Sequence, residues 1–327
     1  MSNDEKIVEL LKNGIAPDFD GALPKHIITA ISNVFIFKDK AYKIYKRDND
    51  FFNKSFNDLS KKENRFIFTR KDFEWNNRLS PEVYTKLRGV VLKDGAIVFT
   101  ESTEDSDELI IEMNKIDMSN QLMKRLIENR ISLDDCLEIG RQFGERISHL
   151  PKLKATRTTY EDFLTRYQDL ISWVGSVKNI PLDKAEKYLN FIKDFIESHK
   201  DELNSKDLMG VCVDVHADNA VLTGKSFSLI DTYAPKEAWL HGYKFINIYR
   251  LATDIYAFLG KEYFEKVLQG YEETTHQKLP RKYDKFLVIY CELVTWPYQY
   301  MLSEKEPERL YVARKYQSFI EKIFQEA

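Results

Sequence analysis

The residue periodicity of this chain changes character once, after Asp117, and that change limits the possible folds more than any other feature. Before it, short alternating runs dominate. Residues 31–37 (ISNVFIF) and 41–45 (AYKIY) set β-branched and aromatic side chains on either side of the polar turn Lys38-Asp39-Lys40, which predicts a hairpin. Residues 61–79 then place Phe68, Asp72, Trp75 and Leu79 at helical spacing, and Pro81 ends the run. Residues 89–92 and 96–100 predict two further strands about the turn Lys93-Asp94-Gly95, and residues 109–113 (LIIEM) predict another. The acidic residues from Glu101 to Glu108 read as a solvated loop.

After Asp117, helical periodicity continues almost to the end of the sequence, over residues 133–149, 160–173, 182–203 and 263–275 among others. The apolar stripe from Phe245 to Leu259 predicts a helix packed on a core. One β interruption, residues 211–230, holds a strand over 219–223, the turn Gly224-Lys225-Ser226 and a strand over 227–230. The expectation is an α+β fold in two lobes: a small β-rich lobe over residues 1–113 and a larger, mostly helical lobe over 114–327.

Composition removes several function classes. Lys and Arg number 49 against 52 Asp and Glu, a formal net charge of −3, so no basic surplus points to a nucleic-acid partner. The three cysteines, Cys136, Cys212 and Cys291, form no C-x-x-C pair, which fits a reducing compartment. Residues 1–20 mix both charges, and no run approaches the ~20 apolar residues of a membrane span, so a cytoplasmic protein without a membrane partner is expected. The 12 glycines include no G-x-G, which excludes a dinucleotide fingerprint. Oligomeric state has no signature.

The chemistry concentrates at the β interruption. Asp214-Val215-His216-Ala217-Asp218-Asn219 precedes an apolar strand, and Asp231 closes the next one. Kinase catalytic loops have the same five-residue step from the aspartate that accepts the hydroxyl proton to the asparagine that holds magnesium, with a second magnesium aspartate one hairpin later. Phosphoryl transfer needs hard oxygen ligands for Mg²⁺ and a separate carboxylate to orient the attacking hydroxyl. Gly224-Lys225-Ser226 imitates the end of a P-loop, but the residue five before Gly224 is Asn219 and not glycine. Asp218 is expected to face solvent, and His216 to orient the loop.

On these residues the sequence resembles the aminoglycoside-phosphotransferase-like small-molecule kinases of the protein-kinase-like superfamily. Family members carry H-G-D-x-H-x-x-N and then a hairpin ending in I-D; here Asp214, His216, Asn219 and Asp231 match, while Cys212 and Val213 replace the leading histidine and glycine. One bacterial branch also shows an A-Y-K strand and an N-x-x-L-x-P-x-x-Y segment, repeated here by Ala41-Tyr42-Lys43 and by Asn76 through Tyr84. The resemblance runs through most of the chain and implies a bilobal protein-kinase-like fold. It implies that Lys43 binds the α and β phosphates of ATP, that an acidic residue of the next helix pairs with Lys43, and that Glu112-Met113-Asn114 is the hinge at the adenine. It further implies that Asn219 and Asp231 bind Mg²⁺ and that Asp214 is the base or orienting carboxylate.

Of the acidic candidates Asp72 and Glu74, Asp72 shares the apolar face of Phe68, Trp75 and Leu79, whereas Glu74 points about 200° away. Asp72 is therefore the expected partner of Lys43. Asp254 matches a family aspartate whose expected part is a structural hydrogen bond. Standing alone, Asp214 and Asn219 would read as cap or turn residues; in register with Lys43, Asp72 and Asp231 they read as chemistry. The expected activity is ATP- and Mg²⁺-dependent phosphorylation of a small-molecule hydroxyl. The alternatives are a nucleotide-binding pseudokinase and a metal-dependent phosphoesterase built on Asp214 and His216.

Overall fold

A computed structural model describes residues 2–17 and 21–326. Its chain divides into two compact units: the residues up to Met118 together with Ser228–Lys236, and Ser119–Phe227 together with the residues from Glu237 onward.

The first unit opens with helix α1 (Asn3–Lys12), followed by β1 (Lys25–Ile28), β2 (Ser32–Ile36) and β3 (Lys40–Tyr45). Helices α2 (Asp50–Ser55) and α3 (Lys62–Leu79) come next, then β4 (Tyr84–Lys93), β5 (Ala96–Thr100) and β6 (Glu108–Asn114). The six strands form one antiparallel sheet in the order β1-β2-β3-β6-β4-β5. Asp94 and Gly95 both have positive φ, 52° and 81°, the backbone that a two-residue hairpin of matching twist requires between β4 and β5.

Side chains alternate across a strand, so β3 serves two cores. Tyr42 and Ile44 pack with Phe35, Val90 and Ile110 against Ile7 and Leu11 of α1. Tyr45 packs on the other face with Phe52, Phe68, Tyr84 and Ile111, and Lys43 points to that same face, toward α3. Helix α1 falls where the sequence shows only a short apolar patch; two buried residues, Ile7 and Leu11, suffice to seat it. Within the N-terminal stretch read above as mixed charge, Met1 and residues 18–20 lie outside the described residues.

The second unit begins with α4 (Leu122–Ile127), α5 (Leu133–Ser148), α6 (Thr159–Ser176), α7 (Leu182–Ser198) and α8 (Lys200–Leu203). Short strands follow: β7 (Met209–Val211), β8 (Ala220–Thr223), β9 (Ser226–Leu229), whose last residues run on into the first unit, and β10 (His241–Tyr243). Strand β10 pairs with β7, and β8 with β9. Helices α9 (Ile246–Leu259), α10 (Lys261–Thr275), α11 (Asp284–Ser303) and α12 (Arg309–Gln325) complete the unit. The expected single helix over 182–203 is broken at His199, whose ring stacks on Phe195 at 3.9 Å and sets Nδ1 3.0 Å from the Phe195 carbonyl oxygen. That side-chain bond competes with continuing the helix. Among the described residues no helix is long and apolar enough to cross a membrane.

Candidate active site

In the first unit the sequence-selected residues Lys43, Asp72 and Asp231 meet. Lys43 Nζ donates to Asp231 Oδ1 at 2.7 Å and to Asp72 Oδ2 at 3.3 Å, and lies 4.8 Å from the centroid of the Tyr45 ring. The two carboxylates differ in exposure: the Asp72 side chain is 2% exposed and that of Asp231 62%, against 6% for Lys43. Burial alone would lower the Lys43 pKa, but the charges of Asp231 and then Asp72 override it and hold the ammonium well above its ordinary range. For Asp72 burial dominates and raises the pKa, with Lys43 opposing. Glu74, the other acidic candidate on α3, has no ion pair with Lys43.

Asp231 has φ of +54°, a left-handed conformation that Asp tolerates better than most residues. Its N–H donates to Tyr84 Oη at 2.8 Å. Burial, followed by the opposing charge of Lys43, leaves that tyrosine hydroxyl with a raised pKa, so it stays protonated.

Glu112 and Asn114 lie at the end of β6, where Lys40 pairs with Asn114 and Tyr42 with Glu112. Their side chains tie the sheet together. The Glu112 carboxylate accepts from Arg88 Nε at 2.6 Å and pairs with Lys40 Nζ at 3.2 Å. Burial would raise its pKa, but the hydrogen bonds from Arg88 and Lys40 outweigh that and keep it low. Asn114 accepts from Lys40 Nζ at 2.9 Å and donates to the Glu82 carbonyl at 2.8 Å.

Asp214 and Asn219 belong to the second unit, where their loop hangs from one face of α9. Asn247, Arg250 and Asp254 follow helical spacing and meet successive points of the loop. Asn247 Oδ1 accepts from the Val213 N–H at 3.1 Å, Arg250 Nη1 lies 3.4 Å from Asp214 Oδ1, and Asp254 Oδ2 accepts from the Ala217 N–H at 2.6 Å. Asp254 also accepts from Tyr316 Oη at 2.9 Å and is fully buried, a structural hydrogen-bonding part. Asn219 Nδ2 donates to the Asp214 carbonyl at 3.1 Å, so its amide oxygen is the atom with which it could coordinate a cation.

Further features depart from, or escape, the sequence reading; Glu108, read with the solvated acidic loop, is buried at the start of β6 and paired with Arg65. Asp218 does not face solvent: it is buried, accepting from Arg309 Nη1 at 2.9 Å and from Gln299 Nε2 at 3.2 Å, partners on α12 and α11. Arg250 carries no sequence signal, because nothing local to it marks a contact 36 residues away. Tyr84 and Asn76 were visible only as motif letters. Cys212 is buried, and burial, opposed by Arg166, raises its thiol to a pKa of about 11, which leaves no nucleophilic thiolate at neutral pH.

Asp231 in the first unit and Asn219 in the second each offer a hard oxygen, carboxylate or amide, of the type Mg²⁺ takes. No group of three or more His, Cys, Asp or Glu that could hold a metal ion occurs among the described residues. At Lys43 and Asp231 an exposed carboxylate stands beside a buried ammonium.

No family model matches the chain, and no curated protein matches it. Solved structures do. A choline/ethanolamine kinase family protein from Mesorhizobium loti shares 12% identity over 98% of this chain and 95% of that one, with a TM-score of 0.54. The GDP and kanamycin complex of APH(2")-IIia shares 10% identity over 97% of this chain and 98% of that one, also at 0.54. The chain has the fold of the protein-kinase-like small-molecule kinases, an α+β fold with an N-terminal antiparallel sheet and a mostly helical C-terminal part.

Proposed function

We propose that this protein is an ATP- and Mg²⁺-dependent phosphotransferase that acts on the hydroxyl of a small molecule. One observation carries the reading: a buried lysine, held from behind by Asp72, reaches the more exposed carboxylate of Asp231 at 2.7 Å. A lysine so placed can address α and β phosphates, and the carboxylate beside it is a ligand of the type a phosphate-bound metal takes. In this reading Lys43 binds the phosphates and Asp72 orients Lys43. Asp231 and Asn219 hold Mg²⁺, whose chemistry is to neutralise developing charge on the phosphates. Asp214 orients the acceptor hydroxyl, with Arg250 Nη1 3.4 Å from its Oδ1. The backbone around Glu112 and Asn114 receives the adenine.

Fold likeness alone names no acceptor. The two similar structures are of a choline/ethanolamine kinase family protein and of a protein bound to kanamycin, so choline, ethanolamine and kanamycin head the acceptor screen. Three buried free cysteines fit the reducing cytoplasm as the compartment. The test is transfer of labelled γ-phosphate from ATP to pooled metabolites and aminoglycosides. The wild type labels a product under Mg²⁺, and Asp214→Ala, which keeps the nucleotide-binding residues, labels none. ATP binding without labelling of any pool or of water would identify a nucleotide-binding protein instead.

A further inference from the structure

The segment from Asn76 to Tyr84 makes no contact that phosphoryl transfer by itself demands, yet it grips the backbone that carries Asp231. Four of its side chains meet Ser228–Thr232 in turn. Glu82 accepts from Ser228 Oγ at 2.6 Å, Ser80 Oγ accepts from the Leu229 N–H at 2.9 Å, and Tyr84 Oη accepts from the Asp231 N–H at 2.8 Å. Asn76 Oδ1 accepts from both the N–H and the hydroxyl of Thr232, each at 2.9 Å. The amide of Asn76 faces two ways, because its Nδ2 donates to Asp72 Oδ1 at 2.9 Å. The contacts therefore close a ring: Lys43 to Asp72, Asp72 to Asn76, Asn76 to Thr232, one peptide bond to Asp231, and Asp231 back to Lys43. Asn76, Thr232, Asp72 and Tyr84 are all buried.

We propose that Asn76 and Tyr84 are positioning residues for Asp231, an assignment that rests on the phosphotransferase reading above. The backbone of Asp231 has a positive φ, and the two bonds on its own N–H and on Thr232 hold it there. Only the side chain of Asp231 then has to change partner. Were Mg²⁺ held by that carboxylate, Lys43 would keep Asp72 and could turn its charge to phosphate oxygens. The main chain around Asp231 would stay fixed, so affinity for the metal would depend on hydrogen bonds that never touch it. Preorganisation of this kind lowers the ordering cost of binding.

The test uses the full chain and two near-isosteric variants, Tyr84→Phe and Thr232→Val, each removing one hydroxyl. Calorimetry with ATP is run in EDTA and then in Mg²⁺, and exchange of the Asp231 amide is followed in the free protein. Both variants should bind metal-free ATP within about twofold of wild type and lose about three- to tenfold in the Mg²⁺-dependent enhancement, the size of one hydrogen bond. The Asp231 amide should exchange faster in Tyr84→Phe. Unchanged enhancement, or equal losses with and without Mg²⁺, overturns the assignment and leaves the phosphotransferase reading intact. A wild type that binds no ATP in either condition overturns both.

Discussion

Lys43 is a buried charge between one carboxylate that cannot reach water and one that can. Breaking such a pair from one side leaves the other charge uncompensated, which is costlier than removing both. Glu292 on α11 shows the opposite solution. It is fully buried, neither carboxylate oxygen has a hydrogen-bond partner, and burial, reinforced by Asp254 and opposed by Arg250, raises its pKa well above the usual range. The folded state therefore keeps a proton there that the unfolded chain releases near the ordinary glutamate pKa. The resulting stability is present below that pKa and is lost as pH rises toward the folded-state value. Denaturant unfolding of wild type and Glu292→Gln should show the variant gaining on the wild type by up to about 1.4 kcal/mol per pH unit in that window. A difference that does not vary with pH would mean that Glu292 is ionised in the fold.

Helices α5 and α10 approach through glycines that face each other's backbone. A Cβ on Gly140 would stand 2.0 Å from the Val267 carbonyl oxygen, and one on Gly270 would stand 2.0 Å from that of Leu137. Either alanine forces the helices apart, so Gly140→Ala and Gly270→Ala should each lose about 1–3 kcal/mol by denaturant melts. Together they should lose less than the sum, since one separation serves both. Gly175→Ala, whose Cβ meets nothing within 4 Å, should be neutral or stabilising; a melt that ranks Gly140→Ala with it would refute the close packing. The same elements mark what was legible beforehand. Helical spacing alone puts Asp72 on the inner face of α3, whereas the apolar neighbours Tyr42 and Ile44 do not decide which side Lys43 faces, and its pairing with Asp72 was legible only through the family resemblance. The grip of Asn76, Ser80 and Tyr84 on residues 229–232 was not legible, because each bond joins positions about 150 apart in sequence. Asp218 reads as a surface residue for the same reason, its arginine partner lying 91 residues away.

At the scale of the molecule, the chain leaves its first unit at Met118 and returns to it for Ser228–Lys236, the short segment that brings Asp231 to Lys43. Identities of 12% and 10% across nearly whole chains show how little sequence this architecture requires. In the proposed reading, a metal-bound triphosphate would offer Asp231 a cation in exchange for Lys43, and Lys43 an anion in return. Calorimetric titration of the full chain with ATP, in Mg²⁺ and in EDTA, for wild type and Asp231→Ala, tests that exchange most directly. The account predicts wild-type binding that Mg²⁺ strengthens and an Asp231→Ala protein that binds ATP without responding to Mg²⁺. An Asp231→Ala protein that binds Mg·ATP as tightly as wild type would contradict it.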